Sequence, residues 1–128
     1  MTDLAISHYQ QAIKENPNLE QAYSSLSLQL SNRGTLEEAE NLARRAIQLN
    51  PDDPAAHANL GVALAKSAKT EQAIDEFQRS VMLDPAYALA YAGLADAFLA
   101  RTNLLSTEES AESFKKAEKY AQKSLELG

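Results

Sequence analysis

An all-α fold, a solenoid of antiparallel helix pairs, is predicted by three features of this sequence. Residues of like type recur at a fixed step of 34. Within each unit the apolar residues fall at three- and four-residue spacing, which is the period of one buried helix face. Short breaks carrying proline, glycine or cap-forming side chains separate the helical segments. The step is seen in Pro17, Pro51 and Pro85, in Ala5, Ala39 and Ala73, and in Ala12, Ala46 and Ser80. Tyr23, His57 and Tyr91 keep it, as do Leu26, Leu60 and Leu94, then Ser27, Gly61 and Ala95, then Leu30, Leu64 and Phe98. So many columns in register define a repeat array, in which one helix pair cannot bury both its faces and stacking supplies the core.

Taken in order, the first helix starts at a cap on Thr2 or Asp3 and runs to about Glu15. Its columns belong to the second helix of a unit. Residues 1–16 therefore read as a half-repeat, with Ala5, Tyr9 and Ala12 expected to lie uncovered. Helices follow at about 20–33 and 36–49, joined by Gly34 in a left-handed helix-ending conformation. Ala68 holds the equivalent place one repeat later and is expected to be left-handed too. The next pair is placed at about 54–67 and 70–83, with Pro54 in a first turn and Thr70 as a cap. A sixth helix covers about 87–101.

The period then breaks. The small residue due near position 107 comes at Ala117, which implies an insertion at about 104–113. Ser106 and Glu109 form a capping-box pattern, so the last helix begins near Thr107. Ala111, Phe114, Ala117, Ala121 and Leu125 are expected to continue one face. The chain thus reads as a single domain, 1–128, of about seven helices: a half-repeat, then repeats at 20–53, 54–87 and 88–128.

At 128 residues the chain is long enough for one shared core. It has no cysteine, so no disulfide framework or thiolate chemistry, which fits a cytoplasmic location. No apolar run approaches a membrane span and no signal-peptide pattern opens the chain, so no membrane role is expected. The formal net charge is −6 with Lys and Arg scattered, which argues against nucleic acid.

Candidate chemistry is sparse. His8 and His57 have no second ligand at helical spacing, and His57 sits in a packing column, so both read as structural. Glu37, Glu38 and Glu40 complement a helix dipole. Ser106, Thr107 and Ser110 beside Glu108 and Glu109 are explained by capping, with phosphorylation as the alternative. There is no glycine-rich phosphate loop and no nucleophile beside a base. The expectation is no enzyme, no cofactor and no metal.

The residue types in these columns resemble the tetratricopeptide-repeat family. Its small sites match Ser27, Gly61, Ala95, Ala39, Ala73, Ala46 and Ser80; its large apolar sites match Leu26, Leu30, Leu60, Leu64, Phe77, Leu94 and Phe98; its closing proline matches Pro51 and Pro85. The chain departs from the pattern at His57, Ala43 and Ala121. The resemblance implies a right-handed α-solenoid whose first helices line a concave surface. Carried onto this chain, that lining is Gln21, Ser24, Ser25, Leu28, Ser31 and Asn32, then Ala55, Ala58, Asn59, Val62, Ala65 and Lys66, then Leu89, Ala92, Gly93, Asp96, Leu99 and Ala100. Relatives that bind chaperone tails use a five-residue carboxylate clamp; the matching places hold Ser24, Leu28, Asn59, Leu89 and Gly93, and only Asn59 fits.

The resemblance implies a non-enzymatic scaffold whose partner is a protein, held as a short peptide or helix in this groove. The residues expected to bind are Ser24, Leu28, Ala58, Asn59, Val62, Lys66, Leu89, Ala92, Asp96 and Leu99. Ser24, Ala58, Val62 and Ala92 leave room at its floor, so Ala58→Arg should block it, with Glu76→Ala as a silent outer-face control. Two alternatives stand beside this reading. One is a homo-oligomer formed through uncapped terminal helices. The other is a regulatory appendage of a larger signalling enzyme, since the stretch from Leu83 to Phe98 with its following insertion is similar to tetratricopeptide regions of bacterial signalling proteins.

Overall fold

The computed structural model describes residues 2–103 and 106–128. Seven helices follow one another: α1 (Thr2–Glu15), α2 (Glu20–Arg33), α3 (Leu36–Leu49), α4 (Pro54–Lys66), α5 (Thr70–Leu83), α6 (Ala88–Thr102) and α7 (Thr107–Leu127). No strand occurs among the described residues. Each helix packs on its chain neighbours, and α2, α4 and α6 also touch in series, while α1 reaches α2 alone. Contacts confined to adjacent units are the signature of a helical solenoid.

The helix ends follow from local chemistry. Gly34 has φ 86° and Ala68 has φ 62°. The Thr35 N–H donates to the Leu30 carbonyl and the Lys69 N–H to the Leu64 carbonyl, both at 2.9 Å. These are the same closing bonds of a left-handed helix end, one repeat apart. Pro54 lies in the first turn of α4, and the Asp53 carboxylate accepts from the Ala55 N–H at 3.0 Å. Thr70 does not cap α5: it is the first helical residue, and Lys69 precedes it without a side-chain bond. The free N–H groups there go uncapped because Lys has no acceptor. α6 begins and ends one residue later than the spacing suggests.

Small residues set the close helix approaches. Ser27 is fully buried, and its hydroxyl donates to the Ala39 carbonyl at 2.7 Å, tying α2 to α3. A Cβ added at Gly61 would lie 2.8 Å from Phe77 Cε1, and one added at Gly93 would come closer still to the same ring. The Phe77 ring, 1% exposed, is therefore pressed between the α4 and α6 backbones. One repeat earlier the register puts Ala43 in the place of Phe77 and Asn59 in the place of Gly93. The departure at Ala43 exchanges bulk with the neighbouring helix, and Ala43 is fully buried.

The insertion is fixed by a pair of matching bonds. The Ser80 hydroxyl donates to the Pro54 carbonyl at 2.8 Å, and the Ser124 hydroxyl to the Ala88 carbonyl at 3.2 Å. The acceptors are one 34-residue step apart, whereas the donors are separated by 44, so ten residues have been added. Seven of them lengthen the last helix, which has 21 residues against 14 in α5. Leu104 and Leu105, part of the expected insertion, lie outside the described residues. The Ser106–Glu109 capping box forms as expected. The Ser106 side chain and then its backbone hydrogen bond hold the Glu109 carboxyl below its usual range.

Two expectations about helix faces are corrected. α7 does not bury the face of Ala111, Phe114, Ala117, Ala121 and Leu125. It buries Ser113 and Ala117 and half-buries Ser110, Tyr120 and Ser124, while Phe114 stays 50% and Leu125 79% exposed. That rotation stacks Tyr120 on Tyr91 and on Phe98, with centroids at 6.1 and 5.7 Å. α1, for its part, does not leave Tyr9 open. Ala5, Tyr9 and Ala12 are half-buried, because Tyr9 and Ile13 pack with Ile6, Leu26, Leu30 and Ala39. An Asp3–Arg33 ion pair also ties α1 to α2.

Candidate interaction groove

The helix order places α2, α4 and α6 side by side, and their exposed strips form one face. A space of about 330 Å³ lies between α4 and α6. Val62, Ala65 and Lys66 line it from α4, and Gly93, Asp96, Ala97 and Ala100 from α6. Thr70 and Phe77 complete it from α5. The apolar walls follow from the Ala-rich α4 and α6, and the floor follows from the Phe77 ring wedged between them. Lys66 and Asp96, both exposed, put opposite charges at the rim.

A second space of about 260 Å³ lies between the start of α2 and the start of α4, lined by Gln21, Ser24, Ser25, Asp53 and Ala55. It is polar. The neighbouring Glu20 carboxyl hydrogen-bonds Asp53 and is pushed up to about 7, first by burial, then by that bond and by the Asp53 charge. Glu20 Oε1 is buried, and no N–H or hydroxyl donor reaches it. The Asp53 carboxylate is also the cap of α4, where it accepts from the Ala55 N–H.

The residues expected to bind divide into three groups. Val62, Lys66 and Asp96 come together around the first space. Leu28 and Ala92 are half-buried, and Leu89 and Leu99 are 39% and 44% exposed on the same series of helices. Ala58, Ser24 and Asn59 are committed to the interior. Ala58 is 0% exposed within the core cluster, so it leaves no room at a groove floor and Ala58→Arg would disrupt packing. Asn59 Nδ2 donates to the Ser24 carbonyl and hydroxyl, both at 2.9 Å, which pins α4 to α2. Its Oδ1 remains without a partner. Thr70, Phe77, Ala97 and Asp53 were not read from the sequence as lining. Their signal is the depth of α5 and of the α4 cap behind the first-helix strip.

Glu76 is not an outer-face residue. It is 8% exposed, 2.8 Å from His57 Nδ1, and it accepts from Arg79 at 2.9 Å. The other ring nitrogen of His57 is 2.8 Å from the Pro51 carbonyl. His57 is thus held in a buried polar network. Among the described residues no cluster of His, Cys, Asp and Glu could hold a metal, and no helix is long and apolar enough to cross a membrane.

A family profile described as TPR repeat matches residues 30–67, and one described as tetratricopeptide repeat matches residues 54–87. No curated protein matches the chain. Among solved structures, a thermophilic TPR protein of Thermus thermophilus superposes with TM-score 0.79 at 24% identity, over 85% of this chain and 57% of that one. MamA of Desulfovibrio magneticus gives TM-score 0.73 at 21% identity, over 98% of this chain and 66% of that one. An O-GlcNAc transferase of Thermobaculum terrenum gives 0.70 at 25% identity, over 93% of this chain but 26% of its own length. This chain therefore spans under two thirds of the length of the first two and about a quarter of the third. The 34-residue columns, the seven-helix solenoid and the two matching profiles agree: residues 30–87 carry tetratricopeptide repeats, within a solenoid of that kind.

Proposed function

We propose that this chain is a non-enzymatic protein-interaction module that holds a short peptide or helix against the α2–α4–α6 face. Tetratricopeptide repeats in general mediate protein–protein interactions, and the observation that supports the finer reading is the space between α4 and α6. It is mostly apolar, floored by Phe77, and rimmed by Lys66 and Asp96. A largely apolar side chain of the partner fills it, and one polar or charged neighbour meets the rim. Most of the affinity is then not Coulombic and depends weakly on salt.

The test uses Ala100, which is exposed at the edge of this space. Ala100→Arg should cut binding of a partner captured from lysate at least tenfold, with the helical spectrum unchanged. Gln10→Arg, on α1 and outside the contacts of α6, should leave binding intact. Retained binding by Ala100→Arg, or loss of binding on raising salt alone, would sink the groove reading. A second reading, self-association through the end helices, is favoured by the exposure of Phe114 and Leu125 on α7.

A further inference from the structure

On the side away from the groove, α5, α6 and α7 enclose a crevice of about 540 Å³. Val81, Tyr91 and Tyr120 form its apolar wall, and Lys119, Lys123 and Glu126 surround it with charge. The repeat supplies an internal comparison. One unit earlier, Ile47, His57, Glu76 and Arg79 line the corresponding crevice. The 34-residue step matches Ile47 to Val81 and His57 to Tyr91; the 44-residue step matches Glu76 to Tyr120 and Arg79 to Lys123. In the earlier crevice the Glu76 carboxylate bonds Arg79 and His57, so the cation has a built-in counter-ion. In the later one that carboxylate is replaced by Tyr120. Asp75, beside it, is replaced by Lys119. Among the described residues neither Lys119 nor Lys123 has an ion-pair partner, although Glu126 is close by. The two lysines are four apart on α7 and so share one helix face.

We infer that this crevice is a second binding site, distinct from the groove, for an acidic peptide segment of a protein partner. The segment places an Asp or Glu carboxylate between Lys119 and Lys123, supplying from outside the counter-ion that Glu76 provides one repeat earlier. It lays an adjacent apolar side chain over Val81 and the stacked rings of Tyr91 and Tyr120. The charge is what selects: the wall alone would take any apolar group, but two unpaired ammonium groups favour a carboxylate over its amide.

Titrating the whole chain with the peptide N-acetyl-Phe-Glu-amide, against N-acetyl-Phe-Gln-amide, tests this by backbone amide NMR. The acidic peptide should give saturable shifts at Val81, Tyr91 and residues 119–126, with at least fivefold tighter binding than its uncharged twin. Lys123→Gln, an exposed change that keeps the fold, should weaken the acidic peptide about two- to fivefold. Tyr120→Glu, which restores the internal carboxylate, should abolish the preference for the acidic peptide. The inference is overturned if both peptides bind alike or if Lys123→Gln has no effect. It is also overturned if the shifts centre on Lys66 and Ala100, which would assign the peptide to the groove.

Discussion

Ala68 occupies a left-handed position that its equivalent, Gly34, fills without strain. The two helix ends close with the same bonds, Lys69 to Leu64 and Thr35 to Leu30, and both residues are exposed. Packing therefore contributes little to a swap. At φ 62° an alanine costs about 1 kcal/mol relative to glycine. Glycine gives back part of that by widening the unfolded ensemble. Ala68→Gly should then stabilise by a net of about 0.5 kcal/mol, or about 2 °C in the midpoint for a chain of this length. Gly34→Ala should destabilise by a similar amount. A Cβ there meets no atom within 4 Å, so its cost is torsional alone. The sites lie in separate turns, so the double variant should return near the parent. Thermal and urea melts followed by circular dichroism read all three. A midpoint that is unchanged or lower in Ala68→Gly would refute the reasoning, as would a raised midpoint in Gly34→Ala.

Two further outcomes follow from buried carboxyls. Glu20 has a folded-state pKa raised from 4.5 to about 7, so its contribution to stability is complete below about 4.5 and is lost as pH climbs through about 7. Glu20→Gln should flatten stability across that window and raise it at pH 8 by about 1 kcal/mol, allowing for solvent screening; a parental pH profile in the variant would count against the Glu20–Asp53 contact. Glu76→Ala should cost about 1–3 kcal/mol by stranding His57 and Arg79, and a silent result in urea melts would show the network to be energetically idle.

The period and the turns were legible because they rest on backbone rules. Small residues at Ser27 and Gly61 and left-handed ends at Gly34 and Ala68 are local demands that any neighbour must respect. The face of α7 was not legible. Once the period breaks, Phe114, Ala121 and Leu125 compete with Ser113, Ala117, Tyr120 and Ser124 as the inward strip, and hydropathy favours the wrong one. Serine reads as polar, yet Ser80 and Ser124 are inward because each donates to a backbone carbonyl of the facing helix. Glu76 misled for the same reason: its partner His57 lies on another helix, and no spacing along α5 announces it. Ala58 read as groove floor by its place in the repeat, but it sits fully buried in the core cluster.

The exchange of bulk between Phe77–Gly93 and Ala43–Asn59 has a consequence along the α2–α4–α6 face. Where Phe77 fills the interior, α6 presents glycine and alanine, and the space above is apolar. Where Ala43 leaves the interior smaller, Asn59 turns its amide to Ser24, and the adjoining surface is lined by Gln21, Ser24, Ser25 and Asp53. One half of the face therefore favours an apolar side chain. The other half, beside the Glu20–Asp53 pair, favours a hydrogen-bond donor or a cation. A segment lying across both halves would meet them in a fixed order, so its direction would be set by the alternation of two core residues that it never touches. Reversing a bound peptide's sequence should accordingly weaken it far more than moving any single polar residue within it.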